Sequence, residues 1–164
     1  MKTVLILRHG KSSWNNVSLS DHDRPLKKSG IRDAVRMGEL IKEEEIVPGV
    51  ILCSTAKRAK TTAELAAEAF DFEGNIQYCR SLYHGSSYNY YEKLAALDND
   101  LNIAMVIGHN PGLEELLIDL AAVDEWMPTT ALAQIELRIN SWQKLKIDVH
   151  GEMVGFWFPR GLDR

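Results

Sequence analysis

Val4-Leu5-Ile6-Leu7-Arg8-His9-Gly10 opens the chain with an apolar run that ends abruptly in a guanidinium, an imidazole and a glycine. A short continuous apolar run reads as a fully buried strand, so Arg8 and His9 stand where that strand ends. In open α/β sheets, ligands bind in the crevice at the carboxyl ends of the strands. An imidazole there, beside a guanidinium and a glycine that lets a ligand approach the backbone, suits a phosphate that is both held and attacked.

Strand-like and helix-like patterns alternate onward from this run. Ser12 to Pro25 is a polar loop, and Ile31, Ala34, Val35, Gly38 and Ile41 recur at helical spacing until the acidic Glu43-Glu44-Glu45, a solvated helix end. Pro48-Gly49 breaks the chain before a second buried strand, Val50-Ile51-Leu52-Cys53. Ala59, Thr62, Ala63, Ala66, Ala67 and Phe70 mark the inner face of the next helix. A third strand is expected over Ile76 to Leu82, a weaker helix over Tyr90 to Leu97, and a very apolar strand over Ile103 to Ile107. Leu113, Leu116, Leu117, Leu120 and Ala121 line a further helix, with Pro111 expected just inside its start and Glu114-Glu115 in its first turn. Beyond Pro128, strict alternation over Ala131 to Ile139, again at Leu145, Ile147 and Val149, and again at Val154, Phe156 and Phe158, predicts strands, with His150-Gly151-Glu152 as a turn. These patterns predict an α/β fold: a three-layer α/β/α sandwich whose central sheet is mostly parallel, with antiparallel strands near the C-terminus.

The bulk properties narrow the function. A chain of 164 residues with 45% hydrophobic and 26% charged residues is expected to form one globular domain over residues 1–164. The net charge of −4 carries no basic block or stripe, which argues against nucleic acid as a partner. No apolar run approaches the roughly 18 residues of a membrane helix, and Met1-Lys2 leads directly into a strand, so no signal peptide is expected. Cys53 and Cys79 lack metal-ligand spacing and read as buried reduced thiols, which fits a cytoplasmic protein.

Applied to every buried strand, the crevice rule gathers chemistry on one rim. The first strand delivers Arg8 and His9, the second Ser54-Thr55-Ala56-Lys57-Arg58, and the strand at 103–107 delivers Gly108-His109-Asn110-Pro111-Gly112. Helix N-termini following the last two offer free N–H groups, and paired arginines can clamp tetrahedral oxygens. Such a cluster of cations repels itself unless a dianion completes it. Phosphate fits.

Leu7-Arg8-His9-Gly10 resembles the signature of the histidine phosphatase superfamily, the phosphoglycerate mutase-like proteins. Arg8 to Trp14, Asp21-His22-Asp23-Arg24-Pro25-Leu26 and Gly108 to Glu115 are similar to the short SixA-type phosphohistidine phosphatases. Ser54 to Glu64 matches their second arginine motif, with Thr55 where proline is usual; Pro128 to Ala133 and Ser141-Trp142 extend the match along nearly the whole chain. The resemblance implies a phosphoglycerate mutase-like fold, a nucleophilic His9, and Arg8, Arg58 and His109 binding the phosphoryl oxygens, with no cofactor and no metal. It also implies a covalent phosphohistidine intermediate that water then hydrolyses.

One departure bears on the substrate. Relatives that cleave phosphoesters carry a glutamate general acid after the third strand, where this chain has Leu82-Tyr83-His84-Gly85-Ser86. His84 is the candidate proton donor, with Asp21 and Asp23 as alternative acids. An imidazole leaving group demands less protonation than an alkoxide, so the leading expectation is dephosphorylation of phosphohistidine on a partner protein, such as a signalling domain. The alternatives are a phosphatase of small phosphoesters or sugar phosphates, and a non-catalytic phosphate-binding adaptor. Short connections suggest an open rim formed with Trp14, which is expected to pack under its loop, and the Tyr88, Tyr90, Tyr91 group, with Tyr91 facing the core and Tyr88 the solvent. Ser12 and Asn15 are candidates for further contacts to the phosphate.

Overall fold

The computed structural model describes residues 1–162. Its strands are β1 (Lys2–Arg8), β2 (Val50–Ser54), β3 (Asn75–Cys79), β4 (Ile103–Gly108), β5 (Leu132–Leu137) and β6 (Glu152–Trp157). They form one sheet in the order β3-β2-β4-β1-β5-β6. The first four strands are mutually parallel, β5 runs antiparallel to β1, and β6 antiparallel to β5.

Successive strand side chains point to opposite faces, and both faces are covered. Leu5, Leu7, Ile51, Cys53, Met105 and Ile107 pack against α1 (Lys28–Glu43) and α2 (Lys57–Ala69). Val4, Ile6, Leu52, Ala104 and Val106 pack against α3 (Ser87–Ala95) and α4 (Gly112–Ala121). This is the α/β/α sandwich that the sequence patterns predict. Val4 through Leu7 are completely buried, and each such aliphatic side chain contributes about 1.5–3 kcal/mol of transfer free energy. The opening strand is therefore anchored at the centre of the sheet, and Arg8 and His9 at its end inherit that rigidity.

The crossover from β1 through α1 to β2 leaves a gap that β4 later fills. The carboxyl ends of β1, β4 and β2 consequently lie side by side: Arg8 is the register partner of Gly108, and Ile107 that of Cys53.

Four local expectations are corrected. β3 stops at Cys79 because its pairing partner β2 stops opposite it, at Ser54. Arg80–Leu82 then form a 3-10 turn that buries Leu82 and lifts Tyr83 and His84 to the sheet's rim. Leu145, Ile147 and Val149 form no strand. β5 already has β1 on one edge and β6 on the other, Leu145 drops into the core beneath a turn that buries Trp142, and Ile147 is left exposed. α3 begins three residues earlier than its apolar pattern, because Ser86 and Asn89 close a reciprocal capping box. α4 begins at Gly112, with Pro111 at its N-cap rather than inside it.

Both cysteines are free and buried. Among the described residues, no helix is long and apolar enough to cross a membrane.

Candidate active site

A cleft of about 340 Å³ opens where β1, β2 and β4 end, and its walls include Arg8, His9, Ser12, Arg58, His84 and His109. His9 sits at its floor, 7% exposed. Its backbone is fixed on both sides: the His9 N–H donates to the Gly108 carbonyl, and the His9 carbonyl accepts from the Thr130 N–H. The following Gly10 N–H donates to Thr62 Oγ1 at 2.9 Å, which ties the loop to α2. Thr62 reads from sequence as a core residue, and only the structure reveals this anchoring bond.

The His9 ring is oriented by its own loop. Nδ1 lies 2.7 Å from the Gly10 carbonyl oxygen; a carbonyl only accepts, so Nδ1 carries the proton and Nε2 keeps a lone pair. Burial, then the charges of Arg58, Arg8 and Arg24, push the imidazole down to about 3, against a partial offset from the Gly10 bond. His9 is thus neutral across the physiological range, and its Nε2 lone pair is available to an electrophile.

His109 stands with its ring centroid 5.0 Å from that of His9. Its Nε2 is 2.8 Å from Ser54 Oγ and its Nδ1 is 3.4 Å from Arg58 Nη2. A guanidinium only donates, so Nδ1 accepts from Arg58 and Nε2 carries the proton, which it donates to Ser54 Oγ; that oxygen also accepts the Ala56 N–H. In that tautomer Arg58 and Ser54 together fix the His109 ring beside His9. Burial first, and then His9, Arg58 and His84, hold the His109 imidazole down to about 3. A dianion between the two rings would favour their charged forms.

Arg58 comes from the first turn of α2 and is 5% exposed. Its Nη1 donates to the Asp21 carbonyl at 2.7 Å and its Nη2 to Asp21 Oδ2 at 3.1 Å. Asp21 Oδ1 accepts from Arg24 Nη1 at 3.0 Å, and Oδ2 also accepts the Tyr83 hydroxyl at 2.7 Å. Partial burial raises the Asp21 carboxyl, but the bonds from Tyr83, Arg24 and Arg58 outweigh it and hold the group well below the usual carboxylate range. Asp21 is therefore an ionised anchor for two arginines, not a proton donor. Arg24, itself buried, also donates to Ser13 O and Ser12 Oγ, and its guanidinium lies over the Trp14 ring. No carboxylate lines the cleft among the described residues, whereas Lys11, Arg24 and Lys27 join its walls.

Arg8, His9, Arg58 and His109 converge as the three-loop reading expects. Ser12 lines the cleft, but its hydroxyl is engaged by Arg24. His84 stands at the mouth with its side chain 68% exposed, stacked on Tyr83 at 4.0 Å and with Nε2 3.8 Å from Asp21 Oδ2. Asn15 does not join the cleft: it is exposed on the loop, with its N–H donated to Ser13 Oγ. Trp14 is 69% exposed rather than packed under its loop, since Arg24 fills the space beneath it. Tyr91 is buried and Tyr88 exposed, as expected. Asp23 accepts from the Ser20 hydroxyl and faces His22, outside the lining of the cleft. Thr55, the departure from the arginine motif, meets His22 Nε2 at 2.9 Å and pins the Asp21 turn to the start of α2.

This geometry can hold a tetrahedral oxyanion against an imidazole nitrogen, and known proteins share its frame. The profile of the histidine phosphatase superfamily (branch 1) matches residues 4–82, from β1 through the Arg58 loop to the end of β3's turn. An uncharacterized chloroplastic protein of Arabidopsis thaliana is 30% identical over 152 residues, covering 87% of this chain and 70% of that one. The chain belongs to the histidine phosphatase superfamily. Among solved structures, this histidine phosphatase is similar to a protein of Agrobacterium tumefaciens assigned as the phosphohistidine phosphatase SixA. The two share 28% identity and a TM-score of 0.82, over 96% of this chain and 98% of that one. The protein histidine phosphatase SixA bound to tungstate superposes with a TM-score of 0.84 at 23% identity, over 98% and 99% of the two chains. The fold is thus that of the short, SixA-type histidine phosphatases.

Proposed function

We propose that this histidine phosphatase hydrolyses phosphohistidine on proteins, without a metal, through a phosphoryl group carried on His9. The observation that carries the reading is the free Nε2 of a neutral His9, fixed by the Gly10 carbonyl amid Arg8, Arg58 and His109. Nε2 attacks phosphorus, the bond from phosphorus to the substrate's imidazole nitrogen breaks, and the departing imidazole takes the electron pair. Arg8 and Arg58 spread the charge of the transferring group over their N–H donors, with His109 beside them. Water then attacks the phosphorus on His9, inorganic phosphate leaves with the proton, and Nε2 regains its lone pair.

What the cleft lacks supports this substrate class. Its described walls carry no carboxylic acid, and Asp21 is held ionised by its three partners. An alkoxide leaving group would need a proton donor, for which His84 at the mouth is the available group. A phosphoramidate bond needs far less help. The two free, buried thiols support a site of action in the reducing cytoplasm.

Wild type and His9→Ala are to be assayed against a phosphohistidine protein, phosphoramidate and a panel of sugar phosphates. The reading predicts turnover of the first two, weak or absent turnover of the panel, and no activity without His9. A preference for sugar phosphates would replace the substrate, and activity surviving His9→Ala would overturn the chemistry.

A further inference from the structure

A second space of about 420 Å³ adjoins the catalytic cleft, with Lys11 and Thr129 lining both. It runs from the start of α1 to the segment after β6, between Arg32 on one side and Arg160 on the other. Trp126 and Phe158 lie along it, 69% and 39% exposed, alongside Pro128 and Pro159. Scattered exposed apolar residues need no explanation, but a contiguous aromatic and proline surface beside a reactive centre marks an interaction site. Tryptophan and arginine are also the residues that most often dominate binding energy at such surfaces.

The charge here runs against that of the whole chain. The protein carries a net charge of −4, yet this groove presents Lys11, Arg32 and Arg160 against Asp33 as the one carboxylate on its described lining. Asp33 lies 3.4 Å from Arg32 and its side chain is only 19% exposed, whereas that of Arg32 is 70% exposed. The lining therefore keeps a net positive charge, and the Arg32 guanidinium stays largely exposed although its Nε donates to Asp33. A phosphoryl group needs only the catalytic cleft, so an adjoining groove of equal or greater size is available to whatever carries that group.

We propose that this groove seats the polypeptide segment flanking the phosphohistidine, and that it selects an acidic segment with apolar side chains. The proposal rests on the phosphohistidine reading and names the partner surface that reading requires. The apolar side chains lie on Trp126 and Phe158 while the carboxylates meet Arg32 and Arg160, which aligns the phosphohistidine with the shared wall at Lys11.

The test uses two synthetic phosphohistidine peptides, one flanked by Glu and Leu and the other by Lys and Ser, with phosphoramidate as a substrate too small to reach the groove. For wild type, the acidic peptide is expected to have a KM about tenfold lower than the basic one, a difference worth about 1.4 kcal/mol. The double variant Arg32→Glu/Arg160→Glu abolishes or reverses that preference, and Trp126→Ala raises KM for the acidic peptide. Turnover of phosphoramidate stays unchanged in both, which also reports that the variants are folded. Equal turnover of the two peptides by wild type, or a preference that survives the double variant, overturns the groove proposal and leaves the phosphohistidine reading intact. Loss confined to a bulky aryl phosphomonoester would assign the groove to small substrates and overturn it as well. Failure of wild type to cleave either peptide while it cleaves monoesters defeats the phosphohistidine reading, and the groove proposal falls with it.

Discussion

His9 and His109 are imidazoles buried among arginines, and that placement has a thermodynamic signature. Burial and neighbouring charge hold both at about 3 in the folded protein, against about 6.5 in an unfolded chain. Between those values the unfolded chain binds more protons than the folded one, so stability rises with pH across the window and is lost on acidification below about 6.5. Chemical denaturation at pH 7 and pH 4.5 should show a marked loss for wild type and a smaller one for His9→Gln; equal losses would contradict the assignment of these groups. Asp21 is the other residue on which the site turns, because it accepts from Arg58, Arg24 and Tyr83 together. Asp21→Asn keeps the backbone acceptor for Arg58 but removes the charge, and should lower kcat/KM for phosphoramidate about 10²-fold through misplaced guanidinium groups. An unchanged rate would show that Arg58 is held without it. The sequence makes Arg8, His9, Arg58 and His109 legible because each follows a buried strand. It leaves Asp21 ambiguous because two acids two residues apart in a polar loop carry no periodicity, so only the fold decides which of them faces the arginines.

At the scale of elements, the loops are set by close backbone approaches as much as by side chains. Gly30, in the first turn of α1, has no room for a Cβ, which would run into the Lys11 carbonyl. Gly30→Ala should therefore push α1 away from the loop after β1, destabilise the fold by about 1–3 kcal/mol, and impair catalysis through displaced Lys11 and Ser12. Denaturant midpoints and phosphoramidate kinetics check this, and a midpoint equal to wild type would contradict the packing. β1, β2 and β4 are readable from sequence because strands buried on both faces form continuous apolar runs. The stretch Leu145 to Val149 misleads because alternation alone does not make a strand: Leu145 is buried beneath the Trp142 turn, Ile147 is exposed, and β6 rather than this stretch pairs with β5. β3 is misread in length for a related reason: its end is dictated by where β2 stops, a non-local fact. That early end matters for the site, since the turn it permits delivers Tyr83 to Asp21.

For the whole molecule, the parallel sheet brings three loops to one rim, and the rim has cations in excess with no carboxylic acid on its described walls. Such a site should favour leaving groups that need little protonation, so kcat/KM for phosphoramidate should exceed that for simple sugar phosphates by at least about 10²-fold, the usual contribution of general acid catalysis. His84→Ala should further depress any monoester activity and leave phosphoramidate turnover intact; an unchanged monoester rate would remove His84 as proton donor. A chelator should leave phosphoramidate turnover unaltered, because the guanidinium groups supply the positive charge. The central claim, a phosphoryl group carried on His9, is tested most directly by rapid acid-free quenching during turnover of labelled substrate, followed by peptide mapping. The account predicts acid-labile, base-stable phosphate on His9 at up to one per chain, and none in His9→Ala. Steady hydrolysis by wild type with no label on His9, or with the label on another residue, would contradict it.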